Sequence, residues 1–156
     1  MPQVEEEIVI DRPPEEVFAY VTTPENDLEW TSIAVERRRE SEGPIDVGSR
    51  IRAVDKFLGR QIESTLVVTE HAPSTRSAVR LEGPIAANGA YVLEPAGTGT
   101  RFRWSLEAEP GLGGLFLGKV TDPLVTFIFR RRIRADLRRL KDVLETRAPR
   151  PAAASS

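Results

Sequence analysis

The segment Pro123 to Glu145, PLVTFIFRRRIRADLRRLKDVLE, constrains the fold of this chain more than any other. At about 100° per residue, Val125, Phe129, Ile133, Leu137, Leu140, Val143 and Leu144 fall along one side of a helix. Arg131, Arg134, Arg138 and Lys141 lie off that stripe. Such a helix must bury its apolar side against another element, and a single helix offers no partner for it. The chain before it reads as a sheet. The expectation is a curved antiparallel sheet closed over the helix, with any binding site in the space between them.

The preceding elements follow from local chemistry. Glu5 to Ile10 predicts a first strand, with Ile8 and Ile10 on one face. Pro13-Pro14-Glu15-Glu16 opens a short helix, since proline and acids suit a first helical turn, and Val17, Phe18 and Val21 give it a buried side. Thr23-Pro24-Glu25 starts a second helix, capped by Thr23 and ending at the packing anchor Trp30. Ile33 to Glu40 is a second strand, with Ile33, Val35 and Arg37 in phase. The loop SEGPIDVGS reads as a strand-joining turn, because it lacks the Gly-Lys-Ser/Thr ending and the following helix of a phosphate loop.

Arg50 to Leu58 and Gln61 to Glu70 form a hairpin, and Gly59-Arg60 suits a two-residue type II′ turn. That turn sets Phe57 opposite Ile62, Asp55 opposite Ser64, Ala53 opposite Leu66 and Ile51 opposite Val68, all toward the core. Arg76 to Glu82 (Val79 and Leu81 inward), Ile85 to Glu94 and Arg101 to Glu109 complete the strands. Centring the last hairpin on Gly97-Thr98 pairs Tyr91 with Trp104 and Leu93 with Phe102.

Composition excludes several function classes. Twenty-two Lys plus Arg against 24 Asp plus Glu gives a net charge of −2, which is no nucleic-acid footprint. Without cysteine there is no disulfide, thiolate chemistry or Cys-based metal site, and one histidine rules out a multi-histidine centre. No cofactor is expected. Lys119, Asp122 and Pro123 interrupt the apolar region Leu112 to Phe129, which argues against a membrane span. The N-terminal MPQVEEEIVID is acidic and strand-like, not a secretory signal, so a cytoplasmic location is expected. Residues 1–146 read as one domain, and the tail 147–156, RAPRPAAASS, as disordered.

The order of strand, two short helices, six strands and a long C-terminal helix carries the phrases IDRPPEEVFAYVTTPENDLEW, GPIDVGSRIR, GTRFRW and ADLRRLKDVLE. With them the chain resembles the helix-grip superfamily of START-like, polyketide cyclase/dehydrase-type (SRPBCC) proteins. The resemblance covers residues 3–146. It implies an α+β helix-grip fold: a seven-stranded curved antiparallel sheet, two short helices and one long C-terminal helix enclosing a cavity. It does not imply an activity, since the superfamily includes lipid carriers, hormone receptors, aromatases, cyclases and chaperone-activating modules. No catalytic residue carries over from it.

Strand phasing puts Phe57, Leu66, Val79, Leu81, Tyr91, Leu93, Trp104, Phe129 and Ile133 on the cavity wall. Asp55 is the one acid that register turns inward, with Arg37 diagonal to it and Ser64 opposite. Arg37, Asp55, Ser64 and the Tyr91 hydroxyl are therefore the candidate catalytic or orienting groups for a ligand carbonyl or hydroxyl. The bland alternative for Arg37 and Asp55 is a buried structural ion pair. His71, in EHAPST, reads as an exposed turn residue, and the arginines from Arg130 onward, diluted by Asp122, Asp136, Asp142 and Glu145, as a solvated helix face.

Three functions are consistent with this pattern. They are binding of a small hydrophobic ligand (lipid-like, aromatic or polyketide-like), a cyclase/dehydratase-type enzyme, and a protein-interaction module with a vestigial cavity. Binding ranks first because only one inward polar cluster can be argued. At the front of the helix Val120, Leu124 and Phe127 project away from the sheet-facing stripe, and the Gly-rich segment Leu112–Val120 adds apolar residues without a strand pattern. A homodimer through Leu124 and Phe127, or a cavity mouth, is the expectation there.

Overall fold

The computed structural model describes residues 3–84, 86–108 and 123–147. The chain runs β1 (Gln3–Ile10), α1 (Pro14–Val21), a 3-10 turn (Pro24–Asn26), α2 (Asp27–Trp30), β2 (Ala34–Arg39) and β3 (Arg50–Phe57). It continues through β4 (Arg60–Ala72), β5 (Arg76–Glu82), β6 (Ala87–Ala96), β7 (Gly99–Ala108) and α3 (Pro123–Thr146). Among the described residues the strands form one curved antiparallel sheet in the order β1-β7-β6-β5-β4-β3-β2, with α3 gripped against it. This is the helix-grip fold. The Leu112–Val120 segment and residues 148–156 lie outside the described residues.

Register shows which local rules held. The β6–β7 hairpin turns at Gly97-Thr98, with Tyr91 opposite Trp104 and Leu93 opposite Phe102, as expected. The β3–β4 hairpin turns one residue earlier than the sequence suggests. Its central residues are Leu58 and Gly59, with φ of 51° and 75°. Positive φ at both positions marks a type I′ turn, whose twist matches that of the flanking strands. The pairing therefore becomes Phe57 opposite Arg60, Asp55 opposite Ile62, Ala53 opposite Ser64 and Ile51 opposite Leu66. A two-residue slip leaves every side chain on its expected face, but it removes the Asp55–Ser64 pairing.

In β2 the register shifts between Ala34 and Glu36, and Val35 turns outward, 51% exposed, instead of sharing a face with Arg37. Proline and two acids open α1 as expected, with Glu15 and Glu16 in its first turn. Thr23 stands at the start of the 3-10 turn without capping it. Its hydroxyl donates back to the Ala19 carbonyl at 2.8 Å.

The core lies where α1 and the C-terminal half of α3 meet β1, β6 and β7. Ile10, Val17, Phe102, Leu137 and Leu140 are fully buried there. Burying each such side chain contributes roughly 1.5–3 kcal/mol. Gly99 permits the closure of this end: a Cβ at that position would lie 2.3 Å from the Ile10 carbonyl oxygen. The front half of α3 meets a different environment, and the cavity is there.

Candidate functional site

Between the inner sheet face and α3 lies a partly open cavity of about 180 Å³. Its walls are mostly apolar. Leu66, Val79, Leu81, Tyr91 and Trp104 come from β4 to β7, and Phe129 and Ile133 from α3, all as the strand and helix phasing expected. The other two expected wall residues are elsewhere. Phe57 stands edge-on against Phe129 at 5.4 Å between ring centres, with the Arg132 guanidinium over its ring. Leu93 lies one inward position beyond Tyr91, inside the core cluster with Phe102 and Leu137. Ile45 joins the wall from the β2–β3 loop, which carries no periodicity from which its direction could be read.

A polar cluster occupies one side of the cavity. Arg37 donates from Nε to Asp27 Oδ2 and from Nη2 to Asp55 Oδ1, both at 2.9 Å. Its Nη1 donates to the carbonyls of Glu36 at 3.0 Å and Val54 at 3.4 Å. The Arg37–Asp55 contact inferred from strand phase is thus present, while Ser64, buried opposite Ala53, makes no hydrogen bond to either. Asp27 is the member that sequence reasoning missed. It sits in α2, a four-residue helix too short to show a periodicity.

Burial sets the protonation chemistry of this cluster. It pushes Asp27 up to about 6 against the opposing pull of Arg37, and Asp55 and Glu25 push it further. Asp55 is raised by burial too, with Arg37 again opposing. Burial works against the Arg37 charge, but Asp55 and Asp27 more than offset it and hold the guanidinium firmly protonated. The Tyr91 hydroxyl is raised by burial and then by Asp27. It makes no hydrogen bond among the described residues.

Two further polar groups belong to the cavity wall. Trp30 packs against Tyr91 at 6.3 Å and Phe102 at 6.4 Å between ring centres, and its indole Nε1 is buried without a hydrogen-bond partner. Asp136 is only 1% exposed, and neither carboxylate oxygen has a partner in ordinary hydrogen-bond geometry. Burial raises its pKa, while the Ser32 hydroxyl and amide, Arg139 and Arg132 favour the charged form. Asp136 was expected on a solvated face. It stands three residues after Ile133 and four before Leu140, within the buried stripe, so the signal was in the spacing and was masked by the residue type.

His71 also departs from expectation. It lies within β4, its ring 5.1 Å from that of Phe18, with Nδ1 buried and unpartnered, away from the cavity wall. The basic residues of α3 match the solvated face in part. Arg134 and Arg130 reach Glu6 of β1 at 2.7 and 3.6 Å. Among the described residues no group of His, Cys, Asp or Glu is arranged to hold a metal ion, and no helix is long and apolar enough to cross a membrane.

Comparison with known proteins matches this geometry. The sequence profile described as "Polyketide cyclase / dehydrase and lipid transport" matches residues 1–145. No curated protein sequence matches at a significant level. Among solved structures, TTHA0849 from Thermus thermophilus is 24% identical with a TM-score of 0.73, over 99% of this chain and 100% of that one. The Aha1 dimer from Colwellia psychrerythraea is 20% identical with a TM-score of 0.67, over 94% and 98%. The di-domain ARO/CYC BexL from the BE-7585A biosynthetic pathway is 22% identical with a TM-score of 0.66, over 93% of this chain and 47% of that one. These likenesses show the fold.

Proposed function

The chain belongs to the polyketide cyclase/dehydrase and lipid-transport family, and from that premise we propose that it binds a small hydrophobic molecule in the cavity. The molecule is lipid-like, aromatic or polyketide-like. Leu66, Val79, Leu81, Trp104, Phe129 and Ile133 form its apolar contact surface, and Asp27, Arg37, Asp55 and Tyr91 orient its polar end. The observation that carries this reading is the cavity itself. Side chains of β4–β7 and α3 meet around open space where a purely structural domain would interdigitate. Trp30 and Trp104 both stand in the wall, so intrinsic fluorescence should respond to occupancy by fatty acids, flavonoids or polycyclic aromatics. Native mass spectrometry of freshly purified protein should show a co-purified small molecule. Indifference of the fluorescence to the whole panel, with no bound mass, overturns the proposal.

A second reading rests on one further observation. Asp27, pushed up to about 6, shares the wall with Tyr91, whose hydroxyl feels its charge, and can both hold and release a proton near neutral pH. A cyclase/dehydratase-type enzyme uses such a group to move protons on a reactive chain folded against the apolar wall. Turnover of a poly-β-ketone analogue that is lost in Asp27→Asn, while binding is kept, distinguishes the enzyme from the carrier.

The proposed setting is cytoplasmic. Homodimerisation through the front of α3 is proposed from Leu124 and Phe127, which are 66% and 56% exposed. Sedimentation of Leu124→Glu/Phe127→Glu should then give a monomer where the parent gives a dimer. An unfolded double variant would identify the patch as ordinary core.

A further inference from the structure

The charged residues on the cavity wall are unequal in sign. Among the described residues they are Asp27, Asp55 and Asp136 against Arg37 alone. Four of the five Arg37 N–H groups already serve two carboxylates and two backbone carbonyls, which leaves one, on Nη2, for a ligand. The acids are the reverse case. Arg37 engages one oxygen each of Asp27 and Asp55, and their other oxygens, Asp27 Oδ1 and Asp55 Oδ2, make no hydrogen bond among the described residues.

Asp136, on α3, is the extreme case. Its carboxylate is buried beside the cavity with no partner in ordinary hydrogen-bond geometry. An unpaired buried acid costs stability unless something else meets it. The groups that bear on it are Ser32, from the turn between α2 and β2, and Arg132 and Arg139 of its own helix. Arg132 is turned over the Phe57 ring. The wall also holds the Trp30 indole N–H, buried without a partner, and the Tyr91 hydroxyl, which makes no hydrogen bond among the described residues. A ligand hydroxyl or amine can donate to an open carboxylate oxygen of the wall, whereas a ligand carboxylate can only accept.

Building on the cavity-binding reading, we propose that the site selects a neutral or cationic ligand carrying a hydrogen-bond donor (a phenol, alcohol or amine) and discriminates against carboxylates, with Asp136 setting much of that preference. Neither Asp136 oxygen is open to solvent, so it acts on an occupant mainly through its field across a low-dielectric wall, where an unscreened charge reaches further than in water. The free oxygens of Asp27 and Asp55 supply the direct acceptors.

The test uses four matched probes on the full chain at about pH 7 and roughly 0.15 M salt, where attraction to surface charge is screened. The probes are 2-naphthol, 2-methoxynaphthalene, 2-(aminomethyl)naphthalene and 2-naphthoate, and isothermal titration calorimetry is the readout. The naphthol and the amine should bind at least tenfold more tightly than the naphthoate, and the methoxy compound, which has lost the donor, several-fold more weakly than the naphthol. Asp136→Asn should shrink the amine-to-naphthoate ratio at least fivefold. Naphthoate binding as tightly as naphthol overturns the proposal using the parent protein alone. An unchanged ratio in folded Asp136→Asn overturns the role of that residue. Equal binding of all four probes leaves the cavity-binding reading standing and removes this inference, whereas binding of none removes both.

Discussion

Arg37 is held by two carboxylates at equal distance, and that symmetry decides how the cluster responds to substitution. Removing the arginine leaves two covered acids without their cation. Arg37→Met should therefore cost about 3–5 kcal/mol of unfolding free energy, the usual consequence of breaking a buried pair from one side. Asp55→Asn should cost less, about 1–2 kcal/mol, because Asp27 still neutralises the guanidinium and an amide oxygen still accepts from it. Chemical denaturation of both variants compares them, and equal losses would contradict a shared cation. The raised Asp27 carries a pH signature. Its folded pKa of about 6 lies above the ordinary value of 3.8, so between those values the folded state binds the extra proton. Stability from this group is full at low pH and is lost as pH rises toward about 6, the reverse of an acid in an ordinary salt bridge. Parent protein should lose stability relative to Asp27→Asn between about pH 4 and 6. A difference that does not change with pH would place Asp27 in a more solvated setting than its burial indicates.

At the scale of elements, α3 contains its own contrast. Leu140 and Asp136 occupy the same buried stripe, one turn apart, yet one fills space and the other holds a carboxylate outside ordinary hydrogen-bond geometry. Leu140→Ala should destabilise by about 2–5 kcal/mol through lost packing and the cavity left behind. Asp136→Leu should hold or raise the melting temperature, because it removes an unpartnered acid from an apolar setting. A large loss in Asp136→Leu would mean that Ser32 and the neighbouring arginines compensate the charge fully. The same helix shows what was legible in the sequence. Its amphipathic period, the strand alternation and the Gly97-Thr98 turn identified the architecture and seven of nine wall residues, since period and face are properties of single elements. The misreadings arose where an outcome depends on relations between elements or on one unusual backbone angle. Leu58 adopting positive φ moved the β3–β4 turn, a bulge turned Val35 out, and four residues of α2 brought Asp27 to Arg37 from another element. Residue type also overruled geometry in one case. An aspartate within an apolar stripe was assigned to solvent because acids are rarely buried without a partner.

For the whole molecule, the core and the cavity divide the length of α3 between them. The C-terminal half is packed against α1 and β1, and the front half borders open space whose lining gives up dispersion contacts. Any occupant that fills this space without binding the unfolded chain stabilises the fold by mass action. At a hundred times its dissociation constant the gain is about 2.7 kcal/mol, which for a chain of this size raises the melting temperature by roughly 5–10 °C. Differential scanning fluorimetry with the naphthalene series should rank the probes in the order found by calorimetry. A disagreement in order would point to binding away from the cavity.

The pairing of β1 with β7 has a consequence during synthesis on the ribosome. The two strands are neighbours in the sheet, Ile10 opposite Thr100, but about ninety residues separate them along the chain. At a translation rate of about 5–20 residues per second, β1 emerges several seconds before its partner exists. Throughout that interval it is a strand with both edges open, the kind of segment that nascent chains on the same messenger can capture. Glu5, Glu6 and Glu7 give it three consecutive like charges, which repel an identical strand and so oppose self-pairing. When β7 arrives it carries Arg101 and Arg103, which approach Glu7 at 3.8 Å and Glu5 at 3.8 Å. The acids that keep the waiting strand soluble are then the ones that recognise the strand it was waiting for.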